Sequence, residues 1–108
     1  MVYTIDEIRR RILPVAVKYR LPAVYLFGSY ARGTADEDSD IDLLVDTTGT
    51  ALTSLFSLGG LYCDLEEALE KKIDLITVSA LQQSSRAASE EQFRDTVWKE
   101  KVNLYVAA

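Results

Sequence analysis

The apolar residues of this chain change period several times, and each change marks an element. Ile5, Ile8, Ile12, Val15 and Tyr19 recur at helical spacing and predict a first helix. Its start is written in Thr4-Ile5-Asp6-Glu7, a capping box, with Tyr3 and Ile8 placed as a hydrophobic staple. Pro14 has no amide hydrogen and crowds the preceding turn, so it is expected to kink this helix or to open a second short one. Leu21-Pro22 closes the region. Ala23-Val24-Tyr25-Leu26-Phe27 then reads as an apolar strand running straight into Gly28-Ser29. Tyr30 to Gly33 suits the first turn of a short helix, and Thr34 to Ser39 a polar, acidic loop. Asp40 to Asp46 predicts a second strand, with Ile41, Leu43 and Val45 on one face and Asp40, Asp42 and Leu44 on the other.

A turn at Thr47-Thr48-Gly49-Thr50 follows. Leu55, Leu58, Tyr62, Leu65 and Leu69 then predict a strongly amphipathic helix. Gly59-Gly60 sits inside it at a cost of about 1 kcal/mol per glycine relative to alanine. Close packing against a sheet is the expected reason, with room for a ligand as the alternative. Ile73 to Val78 predicts a third strand. Ser79-Ala80-Leu81-Gln82 and Ser89-Glu90-Glu91-Gln92 both read as capping boxes, so two further helices are expected, the second carrying Phe93, Val97 and Trp98. Val102 to Val106 suits a closing strand. The order predicts a single α/β (α+β) domain over residues 1–108, without repeats or internal linkers.

Composition narrows the class. A chain of 108 residues can bury a core without staples, because it removes roughly two-thirds of its unfolded surface from water. No apolar run approaches the roughly 20 residues that span a bilayer. Met1-Val2-Tyr3-Thr4-Ile5-Asp6 has neither the basic region nor the apolar core of a signal peptide, so a cytoplasmic location is expected. The single Cys63 excludes an internal disulfide and a multi-thiolate zinc site, and its neighbours Tyr62, Leu65 and Ala68 place it in the core. Histidine is absent, which excludes Ser-His and Cys-His nucleophiles and His-ligated metals. A net charge of −5 argues against direct nucleic-acid binding. The basic cluster Arg9-Arg10-Arg11, with Lys18 and Arg20, suits a solvated helix face or contact with an acidic partner surface.

The chemistry must therefore use carboxylates, hydroxyls, Lys, Arg and bound ions. A strand ending in Gly28-Ser29 and leading into a helical turn exposes backbone amides which, with the Ser29 hydroxyl, suit phosphate oxygens. Glycine at 28 permits close backbone approach, and Arg32 one turn later adds charge. Neither the G-x-x-x-x-G-K-[ST] nor the G-x-G-x-x-G pattern is present. Alone, such a turn is ordinary. Asp40 and Asp42 change its meaning, because residues two apart on a strand point the same way, roughly 6.6 Å apart. Carboxylates so placed repel unless a cation lies between them, and hard oxygen ligands with open positions suit Mg²⁺ or Mn²⁺. A calcium loop counted from Asp36 fails, since it finds Ile41 and Thr47 where glycine and glutamate are required. Asp74, flanked by Ile73 and Leu75 in an otherwise uncharged strand, is the candidate third acid. Three carboxylates with two metal ions form a clamp for in-line displacement at phosphorus.

Gly28-Ser29, ten intervening residues and then Asp40-x-Asp42 resemble the signature of the DNA polymerase β-like nucleotidyltransferase superfamily. Leu26 to Gly33 with Ser39 to Val45 is similar, more closely, to the minimal nucleotidyltransferases, and the likeness extends through Asp74 to Asn103-Leu104-Tyr105. The resemblance implies the nucleotidyltransferase fold, a small mixed β-sheet flanked by α-helices. It also implies an enzyme using ATP and Mg²⁺, with two ions expected and Mn²⁺ as an alternative. Gly28 and Ser29 would hold the triphosphate, with Arg32 beside them. Asp40 and Asp42 would bind both metals, and Asp74 would complete the site and help deprotonate the acceptor. Family members of this length commonly serve as antitoxins that transfer AMP to a tyrosine of a HEPN-domain ribonuclease toxin. A partner protein as acceptor fits a chain too short to carry an acceptor-binding domain. The alternatives are an antitoxin that masks its partner by binding alone, and a small-molecule nucleotidyltransferase that borrows an acceptor domain from another chain.

Overall fold

In the computed structural model, which describes residues 2–83 and 88–107 with side chains from residue 91 in the second segment, the first helix starts as its capping box dictates. Helix α1 (Ile5–Lys18) begins at Thr4, whose hydroxyl accepts from the Glu7 amide at 3.1 Å, while the Glu7 carboxylate accepts from the Thr4 amide at 3.0 Å. Tyr3 and Ile8, the staple pair, are both buried. The helix continues through Pro14 as one element, so no second helix opens there. Pro14 and Arg10, one turn earlier, are both exposed, and water is available to the carbonyl that loses its partner.

The remaining elements are β1 (Ala23–Phe27), α2 (Gly28–Arg32), β2 (Ile41–Asp46), α3 (Leu55–Leu69), β3 (Ile73–Thr77), α4 (Val78–Gln83), α5 (Ala88–Glu100) and β4 (Val102–Val106). The sheet order is β3-β2-β1-β4. Strand β1 runs antiparallel to β2 and β4, whereas β2 runs parallel to β3, so the sheet is mixed as expected. The predicted alternation along β2 holds. Ile41, Leu43 and Val45 join the large core formed with Ile8, Ile12, Leu61, Leu65 and Leu69 of α1 and α3. Leu44 faces the other way, into a smaller cluster with Phe27, Leu81 and Val97 beneath α4 and α5. No helix among the described residues is long and apolar enough to cross a membrane.

Four local expectations are corrected. Leu55 opens α3 fully outside the core, 89% exposed, and Leu61 takes the buried place in the stripe. Cys63 is exposed on the outer face of α3 and is not a core thiol. Gly59 and Gly60 are exposed and do not touch the sheet; a Cβ at Gly59 would meet nothing, and one at Gly60 only the Tyr19 hydroxyl at 3.5 Å. Helix α4 is capped by Thr77, whose hydroxyl accepts from the Ala80 amide at 3.1 Å, and Ser79 lies inside the helix. The capping box expected at Ser89 rests on side chains outside the described residues. The basic cluster is largely engaged within the chain. Arg9 reaches the Asn103 carbonyl at 3.0 Å, and Arg11 lies over the Tyr3 ring and reaches the Ala68 carbonyl at 3.3 Å.

Because Gly59 has open space and a helical backbone, Gly59→Ala is expected to raise stability by about 0.5–1 kcal/mol in urea denaturation, whereas a loss would indicate a packing role that the structure does not contain.

Candidate active site

Three neighbouring strands bring the chemistry together at one end of the sheet. The antiparallel register of β1 and β2 sets Phe27 opposite Asp42, and the parallel register of β2 and β3 sets Asp42 beside Asp74. The chain leaves β1 at Gly28 in the left-handed region, φ +74°, so that α2 can start at once. A Cβ on Gly28 would lie 2.0 Å from Oδ2 of Asp42. Only glycine accepts both that φ and that approach. Buried Tyr30 anchors α2 in the large core, and Gly33, also left-handed at φ 79°, ends it.

A cleft of about 410 Å³ opens here, between β3 and α5, lined by Gly28, Arg32, Asp42, Asp74, Phe93 and Glu100 among others. Phe93 stands edge-on to Phe27, with ring centroids 6.3 Å apart, and forms an apolar wall opposite the carboxylates. Asp42 is half-buried, and its carboxyl is pushed up to about 6. Loss of solvent is the main cause, followed by the charge of Asp74, a hydrogen bond with Asp74 and the charge of Asp40; Arg32 opposes them weakly. The neighbouring negative charge thus disfavours the ionised form of Asp42.

Of the residues predicted from sequence, the structure gathers Gly28, Arg32, Asp42 and Asp74 around one cleft. Ser29 and Asp40 stand apart. Ser29 is half-buried outside the cleft lining, and its carbonyl accepts from the Thr34 amide at 2.9 Å. Asp40 is exposed, lies one residue before β2 begins, and reaches Asp42 through its charge. Among the described residues no three acids, histidines or cysteines close into a ready-made metal cage. The donor set suits a hard divalent ion nonetheless. Mg²⁺ is typically held by one or two carboxylates, with water and substrate phosphates filling the remaining positions, and a cation would relieve the repulsion concentrated on Asp42.

Glu100 is the site residue that sequence reasoning missed. Its carboxylate accepts from the Gly28 amide at 3.0 Å and from Nη1 of Arg32 at 3.2 and 3.1 Å. In Trp98-Lys99-Glu100-Lys101 it reads as one more surface charge. Only the return of α5 across β1, visible in three dimensions, brings it to the turn.

With this geometry in place, the chain's relatives are informative. It matches the family model described as "Polymerase beta, Nucleotidyltransferase" over residues 10–105. The chain belongs to this nucleotidyltransferase family. MJ0435 of Methanocaldococcus jannaschii, provisionally named a protein adenylyltransferase, is 40% identical over 77 residues, which cover 71% of this chain and 81% of that one. The protein adenylyltransferase MntA of Thermococcus cleftensis is 39% identical over 64 residues, covering 59% and 63%. Among solved structures, a toxin–antitoxin crystallised with AMP-PNP superposes with a TM-score of 0.68 and 26% identity over 92% of this chain and 73% of that chain. A provisionally assigned minimal nucleotidyltransferase gives 0.66 and 27%, over 93% and 95%. The expected fold is thereby borne out.

The Asp42 carboxyl has a folded pKa of about 6 against an ordinary 3.8. Folding thus favours its protonated form, and the stability this provides is lost as pH rises through that window. Asp42→Asn is therefore expected to raise the melting temperature of metal-free protein at pH 7.5, with the gain shrinking towards zero by pH 3.5. A gain independent of pH would contradict this assignment of the shifted carboxyl.

Proposed function

We propose that this chain is a divalent-metal-dependent protein adenylyltransferase that acts as an antitoxin, moving AMP from ATP to a tyrosine hydroxyl of a partner HEPN-domain ribonuclease in the cytoplasm. The observation that carries the reading is the in-register pair Asp42 and Asp74 beside the side-chain-free turn at Gly28. Family membership and relatives named as protein adenylyltransferases support the reaction type. Likeness to a toxin–antitoxin structure with an ATP analogue supports the partner and the nucleotide; the HEPN class and the tyrosine acceptor follow from the motif resemblance.

In this reading Asp42 and Asp74 would hold Mg²⁺ or Mn²⁺, with Asp40, whose charge reaches Asp42, as the further carboxylate. The ion would offset phosphate charge and make the α-phosphorus a better electrophile. The chain's own residues do the rest. Gly28 lets phosphate approach the backbone, Ser29 supplies a hydroxyl at the turn, and Arg32 draws the triphosphate by charge. Phe93 and Phe27 give the nucleoside an apolar wall. Asp74, the more exposed of the two central acids, is the one open to an acceptor and would take the hydroxyl proton as the new O–P bond forms and pyrophosphate leaves. Keeping Asp42 and Asp74 together costs folding stability, which favours chemistry over simple masking of a partner.

Incubation of the chain with its partner, α-phosphate-labelled ATP and Mg²⁺ is expected to label the partner. Asp42→Asn and Asp74→Asn should each lower the rate by about 10²-fold or more, with folded protein retained. Absence of label, while Asp42→Asn still neutralises the toxin, would replace this reading with masking by binding alone.

A further inference from the structure

Glu100 ends α5 with its carboxylate turned inward, only 18% exposed, on the Gly28 amide and the Arg32 guanidinium. These are the groups that the preceding section assigns to the triphosphate, and the present inference rests on that reading. A backbone amide has one hydrogen and cannot serve Glu100 and a phosphate oxygen at full strength together. Two anions converging on one guanidinium also repel each other in a half-enclosed cleft.

We propose that Glu100 is a resident stand-in for the nucleotide's phosphate. In the empty site it gives the Gly28 amide an acceptor and holds Arg32 over the cleft. A triphosphate entering the cleft must displace it. The displacement requires no movement of the fold. The backbone on either side is fixed by the Lys101 amide bonded to the Val97 carbonyl at 3.0 Å and by the pairing of Val102 with Leu26. The glutamate leaves by rotation about its own side-chain bonds, and Arg32, half-exposed beside it, opens the way to water. Glu100 therefore raises the phosphate concentration at which the site fills, while leaving the nucleoside part of the cleft untouched.

The test titrates the full chain, Glu100→Gln and Glu100→Ala with tripolyphosphate, ATP and adenosine in the presence of Mg²⁺. Both variants are expected to bind tripolyphosphate and ATP about ten-fold more tightly, from loss of a competing charge-assisted contact, with adenosine unchanged. In the unsubstituted chain the Gly28 amide resonance should move on addition of tripolyphosphate and not of adenosine, a readout that depends on no variant. Unchanged or weaker phosphate binding in the variants, with the parent chain still binding ATP, would overturn the inference and make Glu100 a support that orients Arg32. Failure of parent and variants alike to bind either phosphate ligand would overturn the nucleotide reading itself.

Discussion

The Asp42 carboxylate is caught between a backbone turn and a second carboxylate, and strand pairing fixes all three positions. Phe27 opposite Asp42 brings Gly28 against the carboxylate, and Asp42 beside Asp74 brings the second acid alongside. A slip of one residue in either register would turn an acid into the large core. The register is held by that core: Ile41, Leu43 and Val45 are fully buried against α1 and α3, so the face carrying Leu44, Asp42 and Asp74 has no freedom to change. The site is precise because the opposite side of the sheet is apolar.

This arrangement is costly to folding at neutral pH. Burial and a neighbouring acid push the Asp42 carboxyl up, and Arg32, which is paired with Glu100, is the smallest of the influences on it. The charges at this end of the sheet form one linked set: Asp74 and Asp40 act on Asp42, Arg32 acts on Asp42, and Glu100 holds Arg32 and the Gly28 amide. In the proposed function, a nucleotide with its cation would change every member together, bringing positive charge to the carboxylates and phosphate to the turn. Binding and the electrostatics of the empty site are thus two sides of one balance.

Much of this was legible in the chain. The β strands announced themselves through short apolar runs, and period two along Asp40 to Asp46 assigned each side chain to its face, because a buried central strand leaves no alternative. The Thr4 capping box was equally explicit, being a local exchange of hydrogen bonds. What could not be read was what depends on distant partners. Glu100 looks like a surface charge until α5 folds back across β1. Cys63 and Leu55 look apolar and therefore buried, yet both are exposed on α3; the predicted stripe otherwise holds, with Leu61 joining Leu65 and Leu69 in the core and Leu58 and Tyr62 packed against it. Ser29 and Asp40 carry the family motif but stand outside the cleft in this arrangement, since motif spacing fixes residue identity and not side-chain convergence.

In the proposed function, Asp42 and Asp74 hold a divalent cation beneath a triphosphate lying on the Gly28 turn. Anomalous diffraction from crystals grown with Mn²⁺ and a non-hydrolysable ATP analogue tests it most directly. Manganese density is expected in contact with both carboxylates, with a phosphate oxygen in place of the Glu100 carboxylate at the Gly28 amide. Manganese absent from Asp42 and Asp74, or a nucleotide bound away from Gly28, would contradict it.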